Sequence, residues 1–328
     1  MLMRCGTLAC ALIFAATAAH AFDLQGHRGA RGLMPENTLE GFSAALAIGV
    51  TTLELDVGMT RDGVIVVSHD SYLNPDHTRG PDGAFLERRG AAIRALTLAE
   101  LKRYDVGRLK PGTAYAAGFP AQRPVDGATI PALAEVLELV HRRGADHVRF
   151  NIETKITPRA GADVADPETF AAAVAAAVRR AGVTARVTVQ SFDWRTLMAL
   201  GRIAPDIERA CLTIDRIGRS SVRGGFLGQS SWLAGFDVGN FGGSVPRLVK
   251  AAGCAVWSPL FLDLTPGATA EAKAIGLKVL PWTVNERADM DRLIRDGVDG
   301  IITDYPDRLR AALAEAGRPL PPQVPARP

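Results

Sequence analysis

Past residue 21 the chain alternates short apolar runs with longer stretches in which apolar residues recur every three or four positions. The runs at 23–27, 51–57, 64–69, 147–153, 185–190, 207–212, 254–257, 277–282 and 299–303 read as strands. Amphipathic stretches between most of them read as crossover helices, the pattern of a parallel sheet. Helix starts are marked by local chemistry. Asp166 followed by Pro167 opens "ETFAAAVAAAVRRAG" as an N-cap and a first-turn proline, closed by a glycine. Asn37, three residues before Glu40, reads as a capping residue ahead of Leu39, Phe42, Ala45 and Leu46, with Gly49 as the stop.

Nine strands are one too many for an eight-stranded barrel, and "ELDVGMTRDGVIVVSHD" locates the surplus. Asp62-Gly63 between near-alternating residues predicts a two-residue hairpin turn, in which Arg61 faces Val64 and Asp56 faces His69. A parallel strand reached by running back down the barrel would lift His69 to the same rim; the hairpin is the preferred reading. Two regions break the alternation. Residues 71–130 are rich in Gly, Pro and Asp, with one helical patch near Thr97 to Tyr104, and read as an insertion over a site. Residues 213–243 read as a second irregular loop. The expected organisation is a leader over 1–21, one domain over 22–316 and a proline-rich disordered tail over 317–328.

The first 21 residues change the picture. One basic residue (Arg4), an apolar run from Leu8 to Ala18 and an Ala19-x-Ala21 site make a secretory signal, too short in its apolar part to span a membrane. A lipoprotein reading through Cys10 is weaker, because Thr7 stands where a leucine is expected. Export implies a periplasmic or secreted protein with no stable membrane span after cleavage. Of four cysteines, Cys211 and Cys254 would then remain. Both lie in apolar surroundings, which favours two unpaired core thiols over one disulfide. A net charge of +3 without a basic block interleaved with aromatics gives no support to nucleic-acid binding.

In a strand, residues two apart share a face. Glu54 and Asp56 therefore point one way while Leu53, Leu55 and Val57 point the other; Asn151, Glu153 and Lys155 oppose Val148, Phe150 and Ile152 in the same manner. Three carboxylates on inward faces need a cation between them, and an all-oxygen ligand set suits one divalent ion, Ca2+ or Mg2+. His27 and His69 can serve as an acid and base pair near neutral pH. Arg28 brings a planar charge suited to phosphate oxygens, with Lys155 as a second positive group. Each residue alone has an ordinary structural explanation. Their joint occurrence at separate strand ends points to displacement at phosphorus, where catalysis is mostly positioning and charge stabilisation.

"GHRGARGLMPENTLEGFSAAL", "LELDVGMTRDGVIVVSHD", "FNIETK" and "GLKVLPWTVNERADMDRLIRDGVDGIITDYP", in this order, resemble the motifs of the glycerophosphodiester phosphodiesterase family over about residues 24–310. The resemblance implies an α/β fold, a (β/α)8 TIM barrel of the phospholipase C-like phosphodiesterase type, with a small insertion after the His-Asp motif. It implies His27 and His69 as the acid and base pair, Arg28 and Lys155 on the substrate phosphate, and Glu54, Asp56 and Glu153 as metal ligands. Gln190 and Trp282 match family positions at strand ends and are expected to line the pocket or to pack in the core. The implied reaction is hydrolysis of a small glycerophosphodiester to sn-glycerol 3-phosphate and an alcohol. Two rival readings share the barrel. One is a secreted lysophospholipase or sphingomyelinase D-like phosphodiesterase that stops at a cyclic phosphate, for which the insertion offers few large apolar residues. The other is a non-catalytic phosphodiester-binding protein, which has no need of two titrating histidines.

Overall fold

The computed structural model describes residues 21–159, 161–224 and 229–325. The expected leader, apart from Ala21, lies outside the described residues. Eleven strands occur among the described residues: β1 (Asp23–Gly26), β2 (Thr52–Met59), β3 (Ile65–Val67), β4 (Arg149–Thr154), β5 (Val187–Ser191), β6 (Glu208–Thr213), β7 (Asp215–Arg216), β8 (Arg219–Ser220), β9 (Val256–Pro259), β10 (Lys278–Val279) and β11 (Gly300–Thr303). Eight of them run parallel in the order β10-β9-β6-β5-β4-β2-β1-β11. The ladder stops between β10 and β11, but Asp299 N–H donates to Val279 O at 3.0 Å and Ile302 N–H to Pro281 O at 3.0 Å across the seam. The ring is therefore a nearly closed (β/α)8 barrel, and all nine expected strands are present.

Alternation along the strands decides what faces the helices. Leu53, Leu55, Val57, Phe150 and Ile152 are all fully buried against the helical layer, while the intervening carboxylates face the barrel axis. Burying one large aliphatic or aromatic side chain contributes roughly 1.5–3 kcal/mol, so the outward face of β2 and β4 can hold an inward face that is electrostatically unfavourable. The helix over Pro167–Arg180 begins as expected, with the Asp166 carboxylate accepting from Thr169 N–H at 3.0 Å. The helix over Leu39–Ile48 does not. Its cap is Thr38, whose Oγ1 accepts from Gly41 N–H at 3.0 Å. Asn37 sits in the left-handed region at φ 55° and is occupied elsewhere.

The hairpin reading holds, since β3 pairs antiparallel with β2, but its register is off by one. The pairs are Val57 with Val67, Gly58 with Val66 and Met59 with Ile65. Thr60 N–H donates to Val64 O at 3.0 Å, so the loop has three residues, Arg61-Asp62-Gly63, with Gly63 at φ 79°. A glycine in the left-handed conformation at the last loop position is the usual solution for a three-residue hairpin loop. Asp56 consequently stands opposite Ser68, whose N–H donates to Asp56 O at 2.9 Å, and not opposite His69.

The insertion has a satellite core of its own, Leu73, Ile93, Leu101, Val106 and Ile130, packed on Val66 of β3. Three further expectations need correction. Residues 213–243 contain a short hairpin, β7 with β8, which is too brief for periodicity to reveal. The tail is laid down as far as Pro325: Val324 N–H donates to Leu46 O at 2.9 Å, and Arg310 donates to Pro321 O at 2.8 Å. Prolines that lack N–H donors still offer carbonyls, and flanking arginines use them. Cys211 and Cys254, read as unpaired thiols, form a disulfide with Cα atoms 5.9 Å apart. Both are buried as expected, but the neighbouring placement of β6 and β9 brings them together, which spacing in sequence does not disclose. A cross-link over 43 residues stabilises by about 4 kcal/mol on chain-entropy grounds. We expect Cys211→Ala/Cys254→Ala to lower Tm by several degrees, with dithiothreitol lowering wild type similarly and leaving the variant unchanged. Non-reducing peptide mapping that finds the two segments unlinked would overturn the assignment.

Candidate active site

The site lies at the C-terminal rim, where barrel loops can be varied without disturbing the core. Its foundation is the pairing of β2 with β4, which sets Asp56 beside Glu153 and Glu54 beside Asn151. Because Glu54 is two residues before Asp56, all three carboxylates share the inner face. Their nearest oxygens lie within 4.8 Å of one another, and all three residues are buried. Two unit charges that close repel by about 3 kcal/mol at an effective dielectric near 20. Burial, then Asp56 and Glu153, push the Glu54 carboxyl well above its usual range, and burial with Asp56 raises Glu153 despite Lys155. Asp56 goes the other way: burial opposes ionisation, but Arg28 and Lys155 hold it below the usual carboxylate range.

Arg28 follows β1 on a turn with unusual backbone demands. It adopts φ 51°, which costs a non-glycine residue roughly 1 kcal/mol. A Cβ on Gly26 would lie 2.1 Å from Gly29 O, so only glycine permits the turn to close. In return Arg28 N–H donates to Glu54 Oε2 at 2.9 Å, and the guanidinium donates to Glu36 Oε1 at 2.9 Å. Its Nε lies 3.1 Å from Asp56 Oδ2 as an ion-pair contact without hydrogen-bond alignment. Lys155 Nζ donates to Glu153 Oε1 at 2.7 Å and sits 3.5 Å from Asp56 Oδ1. Gln190 Nε2 donates to Glu54 Oε1 at 2.9 Å and its own carbonyl accepts from Asn151 at 3.0 Å.

The two histidines face this cluster from different sides. His27 Nδ1 is 2.6 Å from Asp304 Oδ1, so the proton sits on Nδ1 and Nε2 carries the lone pair, 3.9 Å from Glu54 Oε2. Burial and the neighbouring Arg31 lower the imidazole pKa to about 4 against the pull of Asp304. His69 Nδ1 is 3.1 Å from Asp70 Oδ1, with the ring one-third exposed; burial, Arg28 and Lys155 lower its pKa. Both rings line one cavity of about 400 Å3 together with Arg28, Glu54, Glu153, Lys155, Gln190 and Trp282. Every site residue expected from the sequence is thus brought together around that cavity, with Asp56 buried behind Glu54 and Glu153. Gln190 is both core and cavity wall. Trp282 is anchored by donation to Ser258 O at 3.0 Å and meets Phe192 edge-on at 5.3 Å.

Three participants escape sequence reasoning. Asn37, read as a cap, donates to Asp56 Oδ2 at 3.0 Å and accepts from Asp56 N–H at 3.3 Å. Asp304 orients His27 while receiving Arg31 at 2.8 Å and Asn285 at 2.7 Å. Tyr115 reaches from the insertion to donate to Glu36, the partner of Arg28. The signal for Asp304 was its place directly after β11, at the same rim as His27 directly after β1.

The donor set fits a hard divalent cation. Asp56 Oδ1 is buried without a hydrogen-bond partner among the described residues, and the ligands are all oxygens. Raised carboxyl pKa values also make a stability statement. Glu54 and Glu153 contribute fully below about pH 4.5 and lose that contribution as pH rises through their elevated folded-state values. We expect metal-free Glu54→Gln at pH 7.5 to melt above metal-free wild type by a few degrees, because a neutral amide does not suffer the loss of stability that the buried carboxyl suffers as pH rises above its unfolded-state value. Millimolar Ca2+ or Mg2+ should raise the Tm of wild type and leave the variant nearly unmoved. A variant that melts lower than wild type in EDTA would contradict this electrostatic account.

Comparison with known proteins agrees with the geometry. The Glycerophosphoryl diester phosphodiesterase family matches residues 27–308. A glycerophosphodiester phosphodiesterase of Caldanaerobacter subterraneus subsp. tengcongensis is 29% identical over 293 residues, covering 89% of this chain and 97% of that one. Among solved structures, one named as a glycerophosphoryl diester phosphodiesterase from Silicibacter pomeroyi DSS-3 superposes with a TM-score of 0.81 at 40% identity, over 92% of this chain and 95% of the other. An Oleispira antarctica phosphodiesterase in complex with its product sn-glycerol-3-phosphate shares the fold at a TM-score of 0.62 and 24% identity, over 88% of this chain and 96% of that one. The family match begins at His27 and runs past Asp304, so it takes in the whole site, and the chain belongs to the glycerophosphoryl diester phosphodiesterase family.

Proposed function

We propose that the cavity hydrolyses small glycerophosphodiesters to sn-glycerol 3-phosphate and an alcohol, with His27 as base and His69 as acid. The observation that carries this is the convergence of two differently held imidazoles, Arg28 and Lys155 on a buried carboxylate triad. Glu54, Asp56 and Glu153 would hold one divalent cation, calcium or magnesium, which supplies positive charge beside the phosphate and eases deprotonation of a nearby hydroxyl or water.

The protein's own groups account for the proton traffic. His27 Nε2, unprotonated and fixed by Asp304, accepts the proton of the nucleophile, either water, which gives glycerol 3-phosphate directly, or the glycerol hydroxyl next to the phosphoester, which gives a cyclic phosphate that water then opens. Arg28 and Lys155 offset charge gathering on the equatorial phosphate oxygens. His69, the more exposed ring, is recharged from solvent and delivers its proton to the departing alcohol oxygen. A cavity this small and this charged supports a water-soluble diester over an acyl-bearing one. The complex reported for the Oleispira protein supports the same product.

We also read the chain as exported, to the periplasm or beyond. The leader pattern over 1–21 and a disulfide between Cys211 and Cys254 agree on an oxidising compartment. No helix among the described residues is long and apolar enough to cross a membrane. Mass spectrometry of the mature protein should find Phe22 at its N-terminus; a retained leader would refute this.

The function is tested by release of glycerol 3-phosphate from glycerophosphocholine. EDTA should abolish release, and Ca2+ or Mg2+ should restore it. His27→Ala and His69→Ala should each lose about 100-fold or more in kcat. The p-nitrophenyl diester of glycerol phosphate, whose leaving group needs no acid, separates the roles: His69→Ala should recover most of its activity there, while His27→Ala should not. Activity unchanged by EDTA, or the opposite pattern of recovery, would overturn the assignment.

A further inference from the structure

Four cationic side chains line the cavity: Arg28, Arg31, Lys155 and Arg219. Three are committed to carboxylates. Arg28 serves Glu36 and Asp56, Arg31 serves Asp304, and Lys155 serves Glu153 and Asp56. Arg219 differs, because the acidic groups of its own surroundings are already engaged. Asp215 takes Arg223 Nε at 2.9 Å and the Ser220 hydroxyl at 3.0 Å, while Asp263 accepts from Asp215 N–H at 2.8 Å and faces Arg216 at 3.9 Å. Among the described residues the Arg219 guanidinium pairs with no carboxylate.

Its backbone is nevertheless held. Arg219 begins β8, whose pairing with β7 is continued by Ser221 N–H to Ile214 O at 2.8 Å and Ile214 N–H to Ser221 Oγ at 3.1 Å. The hairpin leaves β6 directly, and in the ring β6 is four strands from β1 by either route. Arg219 therefore rises across the barrel mouth from His27 and Arg28. Between these poles stand Phe192, Leu212 and Trp282, an apolar wall suited to a short carbon skeleton. A phosphodiester seated at Arg28 and extended along that wall ends at a guanidinium that lacks a counter-charge.

We propose that Arg219 selects the leaving alcohol by binding a negative charge that it carries, so that diesters whose alcohol bears a further phosphate are preferred over those with a neutral or quaternary ammonium alcohol. This rests on the proposed phosphodiesterase reading. Guanidinium binds phosphate oxygens through paired N–H donors, whereas a trimethylammonium group brought to the same place is repelled. Because Arg219 is exposed, its effect should weaken with salt.

Two substrates with the same scissile linkage test this. In glycerophosphoglycerol the leaving alcohol is neutral; in bis(glycerophospho)glycerol it carries a second phosphodiester. At low ionic strength, and after dividing by two for the equivalent ends, wild type should favour the second by about tenfold in kcat/KM, and 0.5 M NaCl should erode the preference. Arg219→Ala and Arg219→Gln should bring the ratio to within about twofold, and Arg219→Lys should keep part of it. A ratio that is flat in wild type, or unchanged in both neutral variants, overturns the inference while leaving phosphodiester hydrolysis intact. Absence of activity on every glycerophosphodiester would instead bring down the underlying function.

Discussion

The repulsion among Glu54, Asp56 and Glu153 is the constraint on which the rest of the site depends. Strand pairing fixes those carboxylates side by side, and taking each ionised group out of water costs several kcal/mol before mutual repulsion is counted. The local answer is uneven. Asp56 receives Arg28, Lys155 and Asn37 and stays ionised, while Glu54 and Glu153 are left to share what remains. A site with one firm charge and two reluctant ones is poised for a cation, since a divalent ion recovers all three desolvation penalties at once. Local stability is given up here, as is common at functional sites.

The histidines, Arg28 and the carboxylates are in turn held by others. Asp304 fixes the His27 tautomer and is itself pinned by Arg31 and Asn285. Glu36 braces Arg28 and is capped by Tyr115 from the insertion. Glu54 leans on Gln190, which leans on Asn151, which donates to Gln25. Chains of buried hydrogen bonds in a low dielectric polarise one another and resist reorganisation. The insertion therefore acts on Arg28 through Tyr115 and Glu36, and the residue after β11 acts on His27 as Asp304. This is why the seam between β10 and β11 needs its backbone hydrogen bonds: if the seam opened, Asp304 would shift and His27 with it.

Much of this was legible in the sequence for a definite reason. Period-two alternation is strict where one face must be apolar, so Leu53, Leu55 and Val57 disclosed the inward direction of Glu54 and Asp56 without any knowledge of the third dimension. What stayed hidden depends on contacts between distant segments. Asn37 has the sequence signature of a cap, but its partner is Asp56 of β2 and Thr38 caps the helix instead. The disulfide requires knowing that β6 and β9 are neighbours. Asp304 lies 277 residues from its histidine, and no local pattern joins them. Hairpin β7–β8 is two residues a side, below the length at which alternation is a signal.

The hairpin register shows why the site survived an error in detail. A slip of one residue turns every side chain in a strand to the opposite face, so pairing Asp56 with Ser68 and not with His69 ought to have removed His69 from the cavity. It does not, because β3 ends at Val67 and His69 lies in the bend beyond it, where the pleat no longer dictates direction. The same holds around the rim: His27 follows β1, Lys155 follows β4 and Asp304 follows β11, each by one residue. Groups whose mutual distances must be rigid, the carboxylates and Gln190, are inside strands. The groups proposed to move protons or meet a phosphate stand just past the strand ends, free of the pleat and still anchored by it. That division explains how strand positions alone, even with a wrong register, lead to a set of residues that the fold gathers around one cavity.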